Sequence, residues 1–250
     1  MADTTVCMKN TKKYENLPET PLTFARFLTK LRPNYSGSSL WTIASCVNKY
    51  VKFEAGQSYV QHEVVKGLLK KWSAEDKKKK SKVFTAENFN DYLNNAPDED
   101  GNLLRKSVLI VGIYGGLRIC ELNKLDFDNF LVVPSYIKVS LKEPTKTDKT
   151  GSGANGNGHS FIIPNDHSTN SHYAILCKYF DSVVEEKGKV WKTFSKRLNR
   201  FVNGVVGINT LAKIPSEIAK FLGLPSPELY TGHAFRRSSA TILADQGISN

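Results

Sequence analysis

The sequence predicts a mainly α-helical protein with a small β-hairpin or sheet, an α+β chain in two domains. Apolar residues recur at helical spacing through most of its length. Residues 135–141 and 160–163 instead alternate, are rich in β-formers, and are joined by a long glycine-rich stretch. A lysine run, Lys77 to Lys80 with Lys82, separates a basic first third from a nearly balanced remainder. The first domain is therefore expected at residues 1–82, basic linker included, and the second at residues 83–250.

The first domain reads as a small helical bundle. Residues 21–31 place Leu22, Phe24, Phe27, Leu28 and Leu31 near one face. Ser38 or Ser39 is suited to cap a second helix over residues 39–53, with Leu40, Ile43, Ala44, Val47, Tyr50 and Val51 on its stripe. Lys49 and Lys52 fall largely off that stripe. A third helix is expected over residues 59–72, after a Gly56-Gln57-Ser58 break.

In the second domain Thr85 is placed to cap a helix, and residues 103–114 form a strongly apolar one that Gly115-Gly116 ends. Arg118 begins the next helix, with Glu121, Leu122 and Leu125 following at about one-turn spacing. Residues 125–130 close that unit, and the two strands follow. Further helices are expected at residues 171–186, 192–203 and 216–222. The last runs from near His233 to Asp245.

Composition narrows the function classes. The net charge is +11. Residues 1–82 hold 16 Lys/Arg against 7 Asp/Glu, and residues 83–250 hold 19 against 17. This asymmetry favours a polyanionic partner gripped by the first domain. No apolar stretch approaches the roughly 20 residues of a membrane span. The start of the chain lacks the apolar segment of a secretory signal. Cys7, Cys46, Cys120 and Cys177 are scattered, with neither a disulfide framework nor a zinc pattern. His159, His167, His172 and Cys177 likewise suit no standard zinc site. The stretch at residues 151–158, GSGANGNG, lacks the Gly-Lys-Ser/Thr ending of a phosphate loop.

Two short motifs carry the chemistry. In YGGLRICEL, residues 114–122, a guanidinium follows a glycine pair where the apolar pattern points inward. Burying that charge is costly unless an anion pairs with it. In TGHAFRRSSATILADQG, residues 231–247, His233 and Arg236 share one face of a helix start. A helix start offers unpaired N–H groups and partial positive charge to an anion.

Together with a lysine on the intervening hairpin, these motifs resemble the tyrosine recombinase, or phage integrase, family. The first motif matches at Gly116, Leu117, Arg118, Glu121 and Leu122. The second matches at His233, Arg236, Ala240, Leu243 and Gly247. The lysine-rich style is similar to that of recombinases from Crypton-type mobile elements.

The resemblance implies a helical, SAM-like core-binding domain and a catalytic domain that clamp duplex DNA. It implies Arg118, Lys146, His233 and Arg236 as catalytic residues, with Lys142 and Lys149 as rivals for the hairpin lysine. Glu121 would hold Arg118 in place. Lys49, Lys52, Lys77, Lys78, Lys79, Lys80 and Lys149 would contact DNA. The implied reaction breaks a phosphodiester by tyrosine attack, giving a 3′-phosphotyrosyl link, with no metal and no small-molecule cofactor. Four copies would assemble on DNA, in the nucleus of a eukaryote or otherwise in the cytoplasm, and not in a membrane or outside the cell.

The family's nucleophilic tyrosine follows the second motif, whereas this sequence ends at Asn250. The catalytic domain is therefore expected to be incomplete at its C-terminus, with DNA binding and no strand cleavage. A non-catalytic DNA-binding or regulatory protein on a domesticated recombinase scaffold is the alternative.

Overall fold

A computed structural model describes residues 20–76, 80–99, 101–141, 159–168, 171–183 and 187–245. The chain divides into two compact units, residues 1–79 and 80–250. It is predominantly helical, with small antiparallel sheets. Among the described residues no helix is long and apolar enough to cross a membrane.

Among its described residues the first unit is a bundle of three helices, α1 (Pro21–Leu31), α2 (Gly37–Ala55) and α3 (Glu63–Glu75). Helix α1 opens on a capping box in which Thr20 and Thr23 satisfy each other's backbone N–H. Helix α2 starts two residues earlier than its pattern predicts, because Ser36 takes the cap and accepts from the Ser39 N–H at 3.2 Å. The start of the expected third helix is a 3₁₀ turn at Tyr59–Gln61, and α3 proper runs on to Glu75. Phe24, Leu28, Leu40, Ala44, Val47, Val51, Tyr59, Val65, Leu69 and Trp72 form the core. Asp76 closes the bundle, bonding the Gly37 N–H and, at 2.8 Å, the Arg32 guanidinium. Those two bonds, the Gly37 one foremost, hold the Asp76 carboxyl below the usual carboxylate range.

The second unit is built around α5 (Asn102–Tyr114), whose residues Leu103 to Ile113 are all buried except Arg105. A helix apolar all round must be enclosed by others. Its neighbours include α4 (Ala86–Asn95), α7 (His172–Ser182), α8 (Ile208–Phe221) and α9 (Ala234–Asp245). The short α6 (Ile119–Lys124) follows the glycine pair. A three-stranded antiparallel sheet, β1 (Phe130–Val133), β2 (Tyr136–Ser140) and β3 (Ser160–Pro164), packs Ile137, Val139 and Ile163 into the core. Strand β1 starts at Phe130, the last residue of the segment expected to close the helical unit, and was not anticipated.

Two expectations need correction. Residues 192–203 do not form a helix. They contribute to a hairpin of β4 (Lys192–Ser195) and β5 (Arg200–Val205). Trp191, Phe194, Leu198 and Phe201 are spaced as a helical stripe would be. The turn decides otherwise, with Asn199 at φ 47° in the left-handed region and Phe194 packed edge-on to Phe201 at 5.2 Å. The helix expected from residue 216 begins instead at Ile208 and passes through Pro215. Pro215 forfeits one backbone bond, and burial of Leu211, Ile214, Ile218 and Ala219 on one face outweighs that loss.

Candidate phosphate-binding site

The site starts from the turn after α5. Gly116 has φ +55°, which a β-carbon would strain, and the Leu117 N–H reaches back to the Gly112 carbonyl at 3.0 Å. This turn sets Arg118 at the N-cap of α6. Glu121 then uses both carboxylate oxygens on Arg118. One accepts the backbone N–H at 2.8 Å, and the other pairs with Nη1 at 2.8 Å. With the carboxylate 12% exposed and the guanidinium 24% exposed, this pair is better shielded than a surface i,i+3 pair. The remaining guanidinium donors of Arg118 are not consumed by Glu121.

The second motif folds onto the same turn. Helix α9 packs on α5 where Gly112 leaves room for the buried Phe235 ring. One turn later, the Arg236 Nη1 reaches the Gly116 carbonyl at 3.4 Å, a long bond between residues 120 apart. Arg236 has no acidic partner among the described residues. Just ahead of α9, Gly232 lies against Ile119, and an added β-carbon would fall 2.4 Å from Ile119 Cγ1. The turn that carries Arg118 and Ile119 and the segment that carries Gly232, His233 and Arg236 are therefore neighbours. His233 is exposed, and its ring makes no hydrogen bond with a described residue. Two guanidiniums against one carboxylate, beside a helix start, leave the site one positive charge in excess even with His233 neutral.

No protein-family model matches the sequence, and no curated protein matches it. Solved structures do. The chain is similar to the XerH site-specific recombinase in a post-cleavage complex with a palindromic difH substrate. The identity is 14% and the TM-score 0.61, over 93% of this chain and 63% of that one. A lambda integrase fragment bound to DNA matches at 16% identity and TM-score 0.58, over 98% of this chain and 79% of that one. The Tn1549 transposon integrase, in complex with a circular intermediate DNA, matches at 12% and 0.59, over 98% and 81%. The fold is that of these recombinases and integrases. This chain spans a little under two thirds of the XerH chain's length.

On this recombinase fold the hairpin lysines, Lys142, Lys146 and Lys149, lie outside the described residues, as do Lys77, Lys78, Lys79 and Gly247. The base of the hairpin is described. Leu141 N–H donates to the His159 carbonyl at 2.9 Å, and the neighbouring Phe161 ring covers Gly115. Lys49, Lys52 and Lys80 are exposed. Tyr230, the tyrosine nearest the second motif, is buried against Phe84 with ring centroids 4.8 Å apart, and burial raises its pKa. Both effects make it a poor nucleophile.

Several residues that shape this candidate site carry no motif. Trp191 is 1% exposed and donates from Nε1 to the Leu122 carbonyl at 2.8 Å, which anchors α6 from below. Ser238 accepts from the Phe84 N–H at 2.8 Å and donates to the Ala234 carbonyl at 2.7 Å. Ser81 accepts from the Thr231 N–H at 3.2 Å, and its carbonyl accepts from Arg237. Residues 81–84 thus brace the segment that carries His233 and Arg236.

Two predictions arise here. An added β-carbon at Gly115 would fall 2.5 Å from Phe161 Cε1 and 2.8 Å from Leu117 Cγ. Gly115→Ala is expected to cost about 1–3 kcal/mol by overpacking. Phe161→Leu in the same chain should recover part of that loss in a urea titration. The second concerns His172, whose Nδ1 lies 2.8 Å from the Tyr114 hydroxyl. Burial lowers the His172 pKa from 6.5, against an opposing pull from Asp166. Its contribution to stability is fully present above the unfolded value and is lost as the pH falls through the lower folded value. The melting temperature of the native chain should therefore drop more steeply below pH 6.5 than that of His172→Gln.

Proposed function

We propose that the chain binds duplex DNA in the manner of a tyrosine recombinase and presents one phosphodiester to Arg118, His233 and Arg236. The observation that supports this reading is the reach of Arg236 to the Gly116 carbonyl, in the turn that sets Arg118. Planar guanidinium forks match the non-bridging oxygens of a phosphate bidentately. As a tyrosine oxygen attacks phosphorus and the bond to the 5′ oxygen breaks, negative charge builds on those oxygens. Fixed donors there lower the barrier, at roughly 10²–10³-fold per donor in comparable oxyanion sites. In this reading Lys146 on the hairpin gives its proton to the departing 5′ oxygen, and His233 orients the phosphate and assists removal of the proton that the attacking tyrosine hydroxyl gives up. The exposed Lys49, Lys52 and Lys80 contact other phosphates, as do Lys77, Lys78, Lys79 and Lys149. Four copies assemble on DNA, as lambda integrase does in its tetramer bound to a Holliday junction. The similarity to Crypton-type recombinases belongs to this proposal and rests on the lysine-rich style of the sequence.

Burial of Tyr230 favours a second reading, a non-catalytic DNA-binding or regulatory protein on the recombinase scaffold. One experiment separates the two. The full chain is incubated with radiolabelled duplexes carrying a nick, which trap a phosphotyrosyl intermediate, and is then denatured. Retarded native complexes are expected on both readings, and a denaturation-resistant adduct on the first alone. An adduct would establish catalysis and reject the second reading. Absence of any native complex would reject both.

A further inference from the structure

Helix α2 carries a face that folding does not explain. Its buried residues Leu40, Ala44, Val47 and Val51 define one side. At about 100° per residue, Thr42, Ser45, Cys46, Lys49, Lys52 and Phe53 fall on the opposite side. Phe53 is 85% exposed there, and Tyr50, one turn before it, is 46% exposed. Isolated exposed apolar residues are ordinary. A phenylalanine on the outer face of α2 in its last turn, one turn after a lysine and directly after another, is a different arrangement. Residues 21–53 contain Arg26, Lys30, Arg32, Lys49 and Lys52 and no aspartate or glutamate. Toward the N-terminus this face carries only small side chains, Thr42, Ser45 and Cys46, which permit close approach.

We infer that the outer face of α2 enters the major groove of duplex DNA and that Phe53 packs on the C5-methyl group of a thymine. A helix about 10–12 Å across fits a groove about 12 Å wide. The thymine methyl is the apolar feature of that groove, and phenylalanine is among the side chains that read it. Lys49 and Lys52 flank the ring as phosphate contacts, fixing register without reading sequence. From Thr42 to Phe53 the face extends about 16 Å, several base-pair steps. This inference rests on the duplex-binding reading above and adds to it one sequence-reading side chain.

The test compares the full chain on two duplexes of identical mixed sequence, one with thymine throughout and one with uracil, which lacks only the methyl group. The native chain is expected to bind the thymine duplex about four-fold more tightly, the ratio that ~0.8 kcal/mol per buried methyl-sized group gives. Phe53→Ala should bind both duplexes equally, and Phe53→Leu should keep part of the preference. Because Phe53 is exposed, circular dichroism should show both variants folded. Equal thymine preference in the native chain and Phe53→Ala, or none in the native chain, overturns the inference while leaving duplex binding intact. Binding to neither duplex overturns the duplex-binding reading itself. If sedimentation shows a native dimer that Phe53→Ala dissociates, the face belongs to a second copy and the inference is wrong.

Discussion

Replacing Arg236 with alanine is expected to weaken duplex binding by about ten- to a hundred-fold at fixed salt. That range follows from about 1.5–3 kcal/mol for hydrogen bonds to a charged group. The slope of log affinity against log salt should fall in magnitude by about 0.9, the loss of one phosphate contact. Little stability should be lost with it, because the guanidinium's bond to the Gly116 carbonyl is long, at 3.4 Å, and no described acid pairs with it. Arg236→Lys should restore the slope and not the full affinity, since a lysine keeps the charge and loses the planar fork. Arg118→Ala should behave differently. It leaves the Glu121 carboxylate, 12% exposed, without the cation it faces at 2.8 Å, so a phosphate would meet an uncompensated negative charge. Its loss should exceed that of Arg236→Ala, and adding Glu121→Gln should recover part of it. Titrations of labelled duplex at several salt concentrations check all four variants.

Trp191→Ala is expected to cost about 3–5 kcal/mol of unfolding free energy, the usual cost of emptying a large buried aromatic site. Against a domain stability of about 5–15 kcal/mol, that is a large share. The ring sits 6.0 Å from Tyr179, whose hydroxyl donates to the Val190 carbonyl at 2.8 Å and accepts from the Lys192 N–H at 2.9 Å. Removing Trp191 therefore loosens a layer that joins α7 to the start of β4, besides taking the shorter of two hydrogen bonds from the Leu122 carbonyl. Helix α6 has six residues, too few to persist without tertiary support. Trp191→Phe should cost less, about 1–3 kcal/mol, by filling most of the space and leaving the Leu122 carbonyl with the Leu125 N–H, at 3.2 Å, as its remaining donor. Guanidinium titration followed by tryptophan-independent circular dichroism measures both. Duplex affinity should fall with stability in each variant, because Arg118 rides on α6.

The parts legible in the sequence are those where one local signal decides the outcome. The apolar run of α5 from Val108 to Tyr114, the glycine pair that ends it and the Thr85 cap have no competing interpretation. The Arg118 motif and the His233–Arg236 pair were legible as residue types suited to a phosphate. That their segments lie together followed only from the family resemblance, because a bond across 120 residues leaves no periodicity behind. The β4–β5 hairpin was misread because its aromatic residues repeat at helical intervals while the deciding feature, the left-handed Asn199, is conformational. Pro215 hid the first half of α8, since a proline ordinarily marks a helix boundary and here lies within one. Trp191 offers no motif, because its partner is a backbone carbonyl, which any residue supplies. Gly232 carries a faint signal, a glycine directly before a candidate histidine. Its purpose emerges only from the side chain of Ile119 that it accommodates.

Phosphate-by-phosphate interference on a duplex selected by the full chain tests most directly whether Arg118 and Arg236 hold one phosphodiester together. Each backbone phosphate is replaced in turn by a neutral methylphosphonate, and binding is measured for the native chain, Arg118→Ala and Arg236→Ala. The account predicts one position at which neutralisation weakens the native chain and has no further effect on either variant. If the two variants instead become insensitive at different phosphates, or at none, the guanidiniums do not share a ligand and the recombinase-type reading of the site is contradicted.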